Sequence, residues 1–294
     1  MEYSFSAFAA AQFARAMAKT NDYETLMRFS RGWENLYDKD SGFIRPKDGA
    51  GQFISDFEPR KPWIGFQEGN AYQYTFYVPH NPAGLIERMG LPTFQSRLAG
   101  VFAEAEKTGF GGGTNIDAFS GLENVYNHGN QPSLHIAWLF NYAGQPWLTQ
   151  HWVRRICDVF YGNEPVHGYG YGQDEDQGQL GAWYVLAAMG LFDVGGGTAA
   201  QPTLQLASPL FDRIQIRLNP TYHAGETFNI HVRRSSAANS YIQSAKLNGV
   251  TLNRCWIPWR EVVGQGGTLE LDLGDKPNFN WGSQTPPPSL SGAD

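Results

Sequence analysis

At 294 residues the chain can bury one large core or two modest ones, and 22 Lys and Arg against 28 Asp and Glu leave a net charge of −6. The basic residues are scattered, which argues against a nucleic-acid or membrane-surface patch, and no apolar run approaches the ~18 residues a bilayer span needs. Nine Trp, 14 Tyr and 19 Phe beside 34 Gly suit either a large aromatic core or rings that stack on sugar faces; the two cysteines, Cys157 and Cys255, have neither metal nor disulfide-framework spacing.

The chain begins Met1-Glu2-Tyr3-Ser4-Phe5, without the basic start and continuous apolar stretch of a secretory signal. Phe5, Ala9, Phe13 and Ala16 recur at helical spacing and predict a helix near Phe5–Ala18, so the chain is expected to open inside a helix, as a fragment would. A second helix is predicted over Asp22–Tyr37, with Leu26, Phe29, Trp33 and Leu36 on one face. Further helices are expected at Asn70–Tyr77, from Asn81-Pro82 to Gly90, and over Thr93–Lys107, Ser133–Tyr142, Trp147–Tyr161 and Gln179–Met189. The loops 109–129 and 162–178 are long and rich in Gly, Asn and His, a length that in a compact domain is functional or disordered.

From about Thr203 the period changes to two. Leu204/Leu206, Ile214/Ile216/Leu218, Phe228/Ile230/Val232 and Leu269/Leu271/Leu273 alternate with polar residues, and Asn248-Gly249 marks a tight hairpin. The fold class expected is therefore mainly α, a partial (α/α)6 toroid barrel followed by a small antiparallel β-sheet subdomain. Its divisions are residues 1–200 for the helical part, 201–281 for the sheet and 282–294 for a disordered Pro-rich tail.

Candidate chemistry gathers in the loops. Asp174-Glu175-Asp176-Gln177-Gly178 puts three acids before an apolar helix; it reads either as a cap with a solvated loop or as a working pair, Asp174 and Asp176, addressing one small volume. Glu68, between Phe66 and Tyr72, reads either as an acid kept protonated by apolar surroundings or as a helix-start Glu favoured by the dipole. His128-Gly129-Asn130-Gln131-Pro132 offers neutral donors of the kind a hard cation accepts, while His128 and His135 lack zinc spacing and read equally as hydrogen-bonded structural residues. Gly111-Gly112-Gly113-Thr114-Asn115 follows no strand and is a weak phosphate loop. With no GxSxG elbow, no HExxH and no GxGxxG in a βαβ setting, carboxylate chemistry of the glycosidase kind remains.

Taken together, Glu68-Gly69-Asn70-Ala71-Tyr72-Gln73-Tyr74 with Val78-Pro79-His80, His128-Gly129-Asn130-Gln131-Pro132, Asn141-Tyr142-Ala143-Gly144, Asp174-Glu175-Asp176-Gln177-Gly178-Gln179 with Ala182-Trp183-Tyr184-Val185, and Ser208-Pro209-Leu210-Phe211 resemble, in this order, glycoside hydrolase family 92, the calcium-dependent inverting exo-α-mannosidases. The resemblance runs to about Leu273 and implies an N-terminal β-sandwich, an (α/α)6 barrel and a small C-terminal sheet, of which this chain carries the later part. It implies Glu68 as general acid, Asp176 as general base and Asp174 as its assistant. It puts Asn70, Gln73, His128 and Trp183 on the substrate side, and Asn130 and Gln131 in the motif that helps hold Ca²⁺. Many members carry Glu where Gln131 stands, which shifts the expected charge to another ligand such as Glu123 or Asp117. Inversion would set the Glu68 and Asp176 carboxyl groups about 6.5–9.5 Å apart. The implied substrate is a mannose-containing glycan or glycoprotein, as in N-glycan processing. A missing N-terminal half is the implied partner, the export common in the family would put the whole protein outside the cytoplasm, and an inactive or split fragment is the alternative.

Overall fold

The structure, a computed structural model, describes residues 1–112, 121–163 and 177–291. It opens on a pair of packed helices, α1 (Glu2–Ala16) and α2 (Thr20–Ser30). The buried face of α1 is Ser4, Phe8, Ala11 and Ala14, one step round from the stripe expected, and Phe13 is 70% exposed. Both stripes have helical spacing; the one that turns inward carries the small residues that allow close approach to α2. Phe29 of α2 is likewise exposed, while Trp33, in the short 3₁₀ turn Gly32–Asn35 that follows, is fully buried.

A two-residue ladder, β1 (Tyr37–Asp38) with β2 (Phe43–Ile44), leads into the loop that carries Glu68 and then into α3 (Ala71–Thr75). Next come α4 (Pro82–Met89) and α5 (Leu91–Ala105), which pack on each other and are separated only by Gly90 at φ +77°. Asn81 accepts from Gly84 N–H and caps α4, with Pro82 in the first turn, as the Asn-Pro…Gly pattern predicts. The helix expected over Ser133–Tyr142 is instead two 3₁₀ turns, Gln131–Ser133 and Ile136–Asn141. Every residue of the second is buried, so no polar face exists from which a 3.6 period could be read. The described helical part ends with α6 (Pro146–Val159) packed against α7 (Gln179–Ala188). Trp33, Phe76, Phe94, Phe102, Trp138 and Phe140 fill its core.

Two small sheets follow. One orders β3 (Leu191–Phe192), β4 (Thr203–Leu206) and β9 (Trp256–Pro258), all antiparallel. The other has five strands: β5 (Arg213–Arg217), β6 (Thr227–Arg233), β7 (Tyr241–Leu247), β8 (Val250–Thr251) and β10 (Gly267–Gly274), in the order β5-β6-β10-β7-β8. Asn248 and Gly249, at φ +52° and +79°, make the β7–β8 turn. The purely antiparallel sheet expected is corrected at one seam. After α8 (Trp259–Val263) the chain returns as β10 between β6 and β7, antiparallel to β7 but parallel to β6, with Leu269 opposite Ile230. Parallel neighbours require such a crossover, whereas hairpins give antiparallel ones. Phe228, Ile230, Leu269 and Leu271 form this second core. The sheet is tied to α6 by Gln150, whose Oε1 accepts from Ile242 N–H at 2.8 Å.

The tail is a second correction. Trp281 is buried and donates to Leu252 O at 2.9 Å, and the chain then runs back across the helical part. Asn81 Oδ1 accepts from Ser291 N–H at 2.9 Å and Ser289 Oγ–H at 3.1 Å, and Leu290 N–H donates to His80 O at 3.2 Å. A segment poor in apolar residues is here ordered by polar contacts to a helix cap.

Candidate active site

Glu68 lies in a turn that its neighbours define closely. Its own backbone is left-handed, at φ +51°, and Gly65 three residues earlier is at φ +75°. Asn70 then takes the cap position of α3, its Oδ1 accepting from Tyr72 N–H at 2.9 Å and Gln73 N–H at 3.3 Å. The carbonyl of Gln67 accepts from Tyr74 Oη–H at 2.6 Å, and the carbonyl of Glu68 accepts from Asn130 Nδ2–H. The apolar pocket that one of the two readings gave the Glu68 carboxyl is not what forms. Phe66 packs inward on Tyr74 and Tyr72 on Phe43, at ring separations of 5.4 and 4.9 Å, while Glu68 is exposed. Phe66 is buried and Tyr72 half-buried, and the polar carboxyl group is left in water, which spares its desolvation. Burial, then the charge of Glu2, with Tyr77 and Glu68 contributing, holds the Tyr74 hydroxyl well above the usual phenol range, so it is a committed donor.

Asn70 and Gln73, expected to meet substrate, are both fully buried and grip the chain of the next loop. Asn70 Nδ2 donates to Leu122 O at 2.8 Å and Asn124 O at 2.9 Å, which uses both of its hydrogens. Gln73 Nε2 donates to Asn124 O at 2.9 Å and Gly121 O at 3.3 Å, leaving its buried Oε1 without a partner. Glu68 and residues 121–124 are thereby brought side by side through α3.

His128 and Trp183 are buried as well. Tyr161 Oη–H donates to Leu180 O at 3.0 Å, so its oxygen is the acceptor for His128 Nε2–H at 2.9 Å; His128 Nδ1 then accepts from Tyr126 Oη–H at 2.8 Å. Burial lowers the imidazole pKa to about 3, and the ring is neutral in this relay. Trp183 stands edge-on to it at 4.3 Å and donates to Leu134 O at 2.8 Å. The relay ends on Leu180, the second residue of α7, and so joins the His128-Gly129-Asn130 run to the helix that follows the acidic loop. Asp174, Glu175 and Asp176, together with Asp117 and Gly113-Thr114-Asn115, lie outside the described residues, and with them the expected carboxyl separation. Gln177 and Gly178, directly after the acids, are both left-handed, at φ +61° and +78°.

Of the metal candidates, Asn130 is buried beside Glu68 and Gln131 opens the 3₁₀ turn. Their amide oxygens fit a hard cation, which takes six to eight oxygens. Among the described residues no cluster of three or more His, Cys, Asp or Glu stands ready, and Glu123 is exposed.

Residues that sequence reasoning passed over do much of the arranging. A Cβ on Gly111 or Gly121, both left-handed, would fall within 2.5 and 2.9 Å of the Asn127 amide, which also accepts from Gly129 N–H at 3.1 Å. Asn127 thus packs closely against both glycines of this loop; its one sequence signal is that it stands directly before His128. Tyr74, Tyr126 and Tyr161 lie in the aromatic core and also use their hydroxyls to hold this region together.

The glycosyl hydrolase family 92 catalytic domain matches residues 1–275, and the chain belongs to this family. It is 28% identical over 319 residues to an uncharacterized secreted glycosidase of Arthroderma benhamiae, covering 99% of this chain and 37% of that one. A family GH92 alpha-mannosidase from Bacteroides thetaiotaomicron superposes with a TM-score of 0.85 at 28% identity, over 99% of this chain and 36% of that chain. A family GH92 inverting mannosidase from Bacteroides thetaiotaomicron VPI-5482 gives 0.80 at 31% identity, over 96% and 37%. The chain therefore spans little more than a third of the length of these relatives.

Proposed function

We propose that this chain carries the acid and base of an inverting α-mannosidase that removes terminal mannose from glycans. The observation that supports the reading most is the hydrogen bond from Asn130 to the Glu68 carbonyl, which joins two of the motifs on which the family resemblance rests. A solved relative was captured with mannoimidazole, and another bears the name inverting mannosidase. In this mechanism Glu68, exposed and free to meet substrate, gives its proton to the glycosidic oxygen as the bond breaks. Asp176 takes a proton from the water attacking the opposite face, and Asp174 orients that water. Asn70, Gln73, His128 and Trp183 hold the walls from below rather than touching sugar. Asn130 and Gln131 would hold Ca²⁺, which when bound grips sugar hydroxyls and favours a distorted ring.

Glu68→Gln and Asp176→Asn should each lower kcat on an alkyl α-mannoside by about 10²–10⁴-fold. Losses under threefold in either would remove that residue from its role. One observation favours a second reading. Tyr3, Phe13, Met17 and Phe29, on or beside α1 and α2, are large apolar side chains left 56–90% exposed, of the sort a further polypeptide covers. In that reading the site works only with such a partner in place.

A further inference from the structure

We propose that Tyr74 and Asn130 are positioning residues that clamp the backbone on both sides of Glu68 and fix where its carboxyl group is presented; this rests on Glu68 being the acid. A glutamate has no intrinsic reason to adopt φ +51°. Such a backbone persists only where its surroundings over-determine it. Here two successive carbonyls are pinned from different elements: Gln67 O by the Tyr74 hydroxyl of α3, and Glu68 O by the Asn130 amide at the 3₁₀ turn. Two residues on, Asn70 is locked as the α3 cap by bonds in both directions. Gly69 completes the fit, since a Cβ there would come within 3.0 Å of the Tyr74 ring and of Gln73 Oε1. The result is a rigid backbone under an exposed side chain, the combination that preorganises a proton donor. Tyr74 serves as a dependable pin because its hydroxyl keeps its proton, chiefly through burial and then the neighbouring Glu2 carboxylate.

The test uses leaving groups. A poor leaving group such as an alkoxide needs the acid's proton, whereas 2,4-dinitrophenolate departs almost unaided. Tyr74→Phe removes the pin and keeps the ring; Asn130→Asp removes the N–H donor and keeps an oxygen for a cation. Each should lose at least tenfold in kcat on methyl α-mannoside but under threefold on 2,4-dinitrophenyl α-mannoside, a milder copy of the Glu68→Gln pattern. Calorimetric titration of Asn130→Asp with Ca²⁺ alone should show affinity equal to or above that of the parent. Equal losses on both substrates in Tyr74→Phe and Asn130→Asp would overturn the clamp. A Glu68→Gln protein without leaving-group dependence would instead overturn the reading of Glu68 as the acid. A measurement free of turnover checks the strain itself. Glu68→Gly should melt about 2 °C above Glu68→Ala, and this gap should shrink in a Tyr74→Phe background. A Gly variant that melts no higher than the Ala variant contradicts the proposal.

Discussion

Asn70 shows how a single side chain in a motif proposed to be catalytic can serve architecture. Asn70 makes four hydrogen bonds to the protein, two capping α3 and two holding the loop at Leu122 and Asn124. Asn124 O keeps Gln73 Nε2 as a donor when Asn70 is truncated, but Leu122 O loses its donor and two amides at the helix start lose their acceptor. Loss of the cap costs about 1 kcal/mol and an orphaned buried carbonyl about 1–3 kcal/mol, so Asn70→Ala should destabilise the fold by about 2–4 kcal/mol in urea unfolding. A midpoint within 0.5 kcal/mol (about the scale of a surface change) would mean these bonds are not made in solution. At this scale the sequence picked out two segments, around Glu68 and Asn130, that a hydrogen bond joins, but it does not tell what their side chains face. Nothing in Phe66-Gln67-Glu68 says that Phe66 and Tyr72 turn into the core and leave the carboxyl outside; that follows from their packing on Tyr74 and Phe43.

At the scale of elements, legibility follows how local the determining forces are. α4 could be read to its ends because its cap, its first-turn proline and its closing glycine all lie within the helix's own stretch. Ile136–Asn141 could not, because it is buried on every side and its conformation is set by neighbours. The tail was misread for the same reason: the partners that order Ser291 lie 210 positions earlier in the chain, at Asn81. This strap yields its own prediction. Asn81→Ala removes the acceptor shared by Gly84, Ser289 and Ser291 and should cost about 1–3 kcal/mol. It should also expose the segment around residues 284–290 to limited proteolysis. A tail as protected as in the parent would show that other contacts hold it.

At the scale of the whole molecule, three histidines among the described residues are buried in neutral form. Burial lowers His80 to about 4, with the Ser30 carbonyl partly opposing, His128 to about 3, and His135 to about 4, with the Phe76 carbonyl partly opposing. The ordinary value is 6.5, so between that pH and about 4 the unfolded chain binds more protons than the folded one. Stability is therefore full above about pH 6.5 and falls as pH drops through this window, with up to three protons taken up on unfolding. Asp38 adds to the loss at lower pH. Burial opposes its charge, but the Arg45 guanidinium and bonds from Ser41 and the backbone hold it at about 2 against 3.8, so its contribution fades only below 3.8. Melting temperature should decline steadily from pH 6.5 to 4, with a shallower slope in His135→Asn; a flat profile would contradict the buried neutral state.

The proposal that this chain cleaves α-mannosides with inversion, Glu68 and Asp176 acting from opposite faces, is tested most directly by the anomer released first. Proton NMR during hydrolysis of methyl α-mannoside should show β-mannose appearing before mutarotation supplies the α form. α-Mannose as the first product would mean retention through a covalent intermediate and would contradict the assigned roles of both carboxylates.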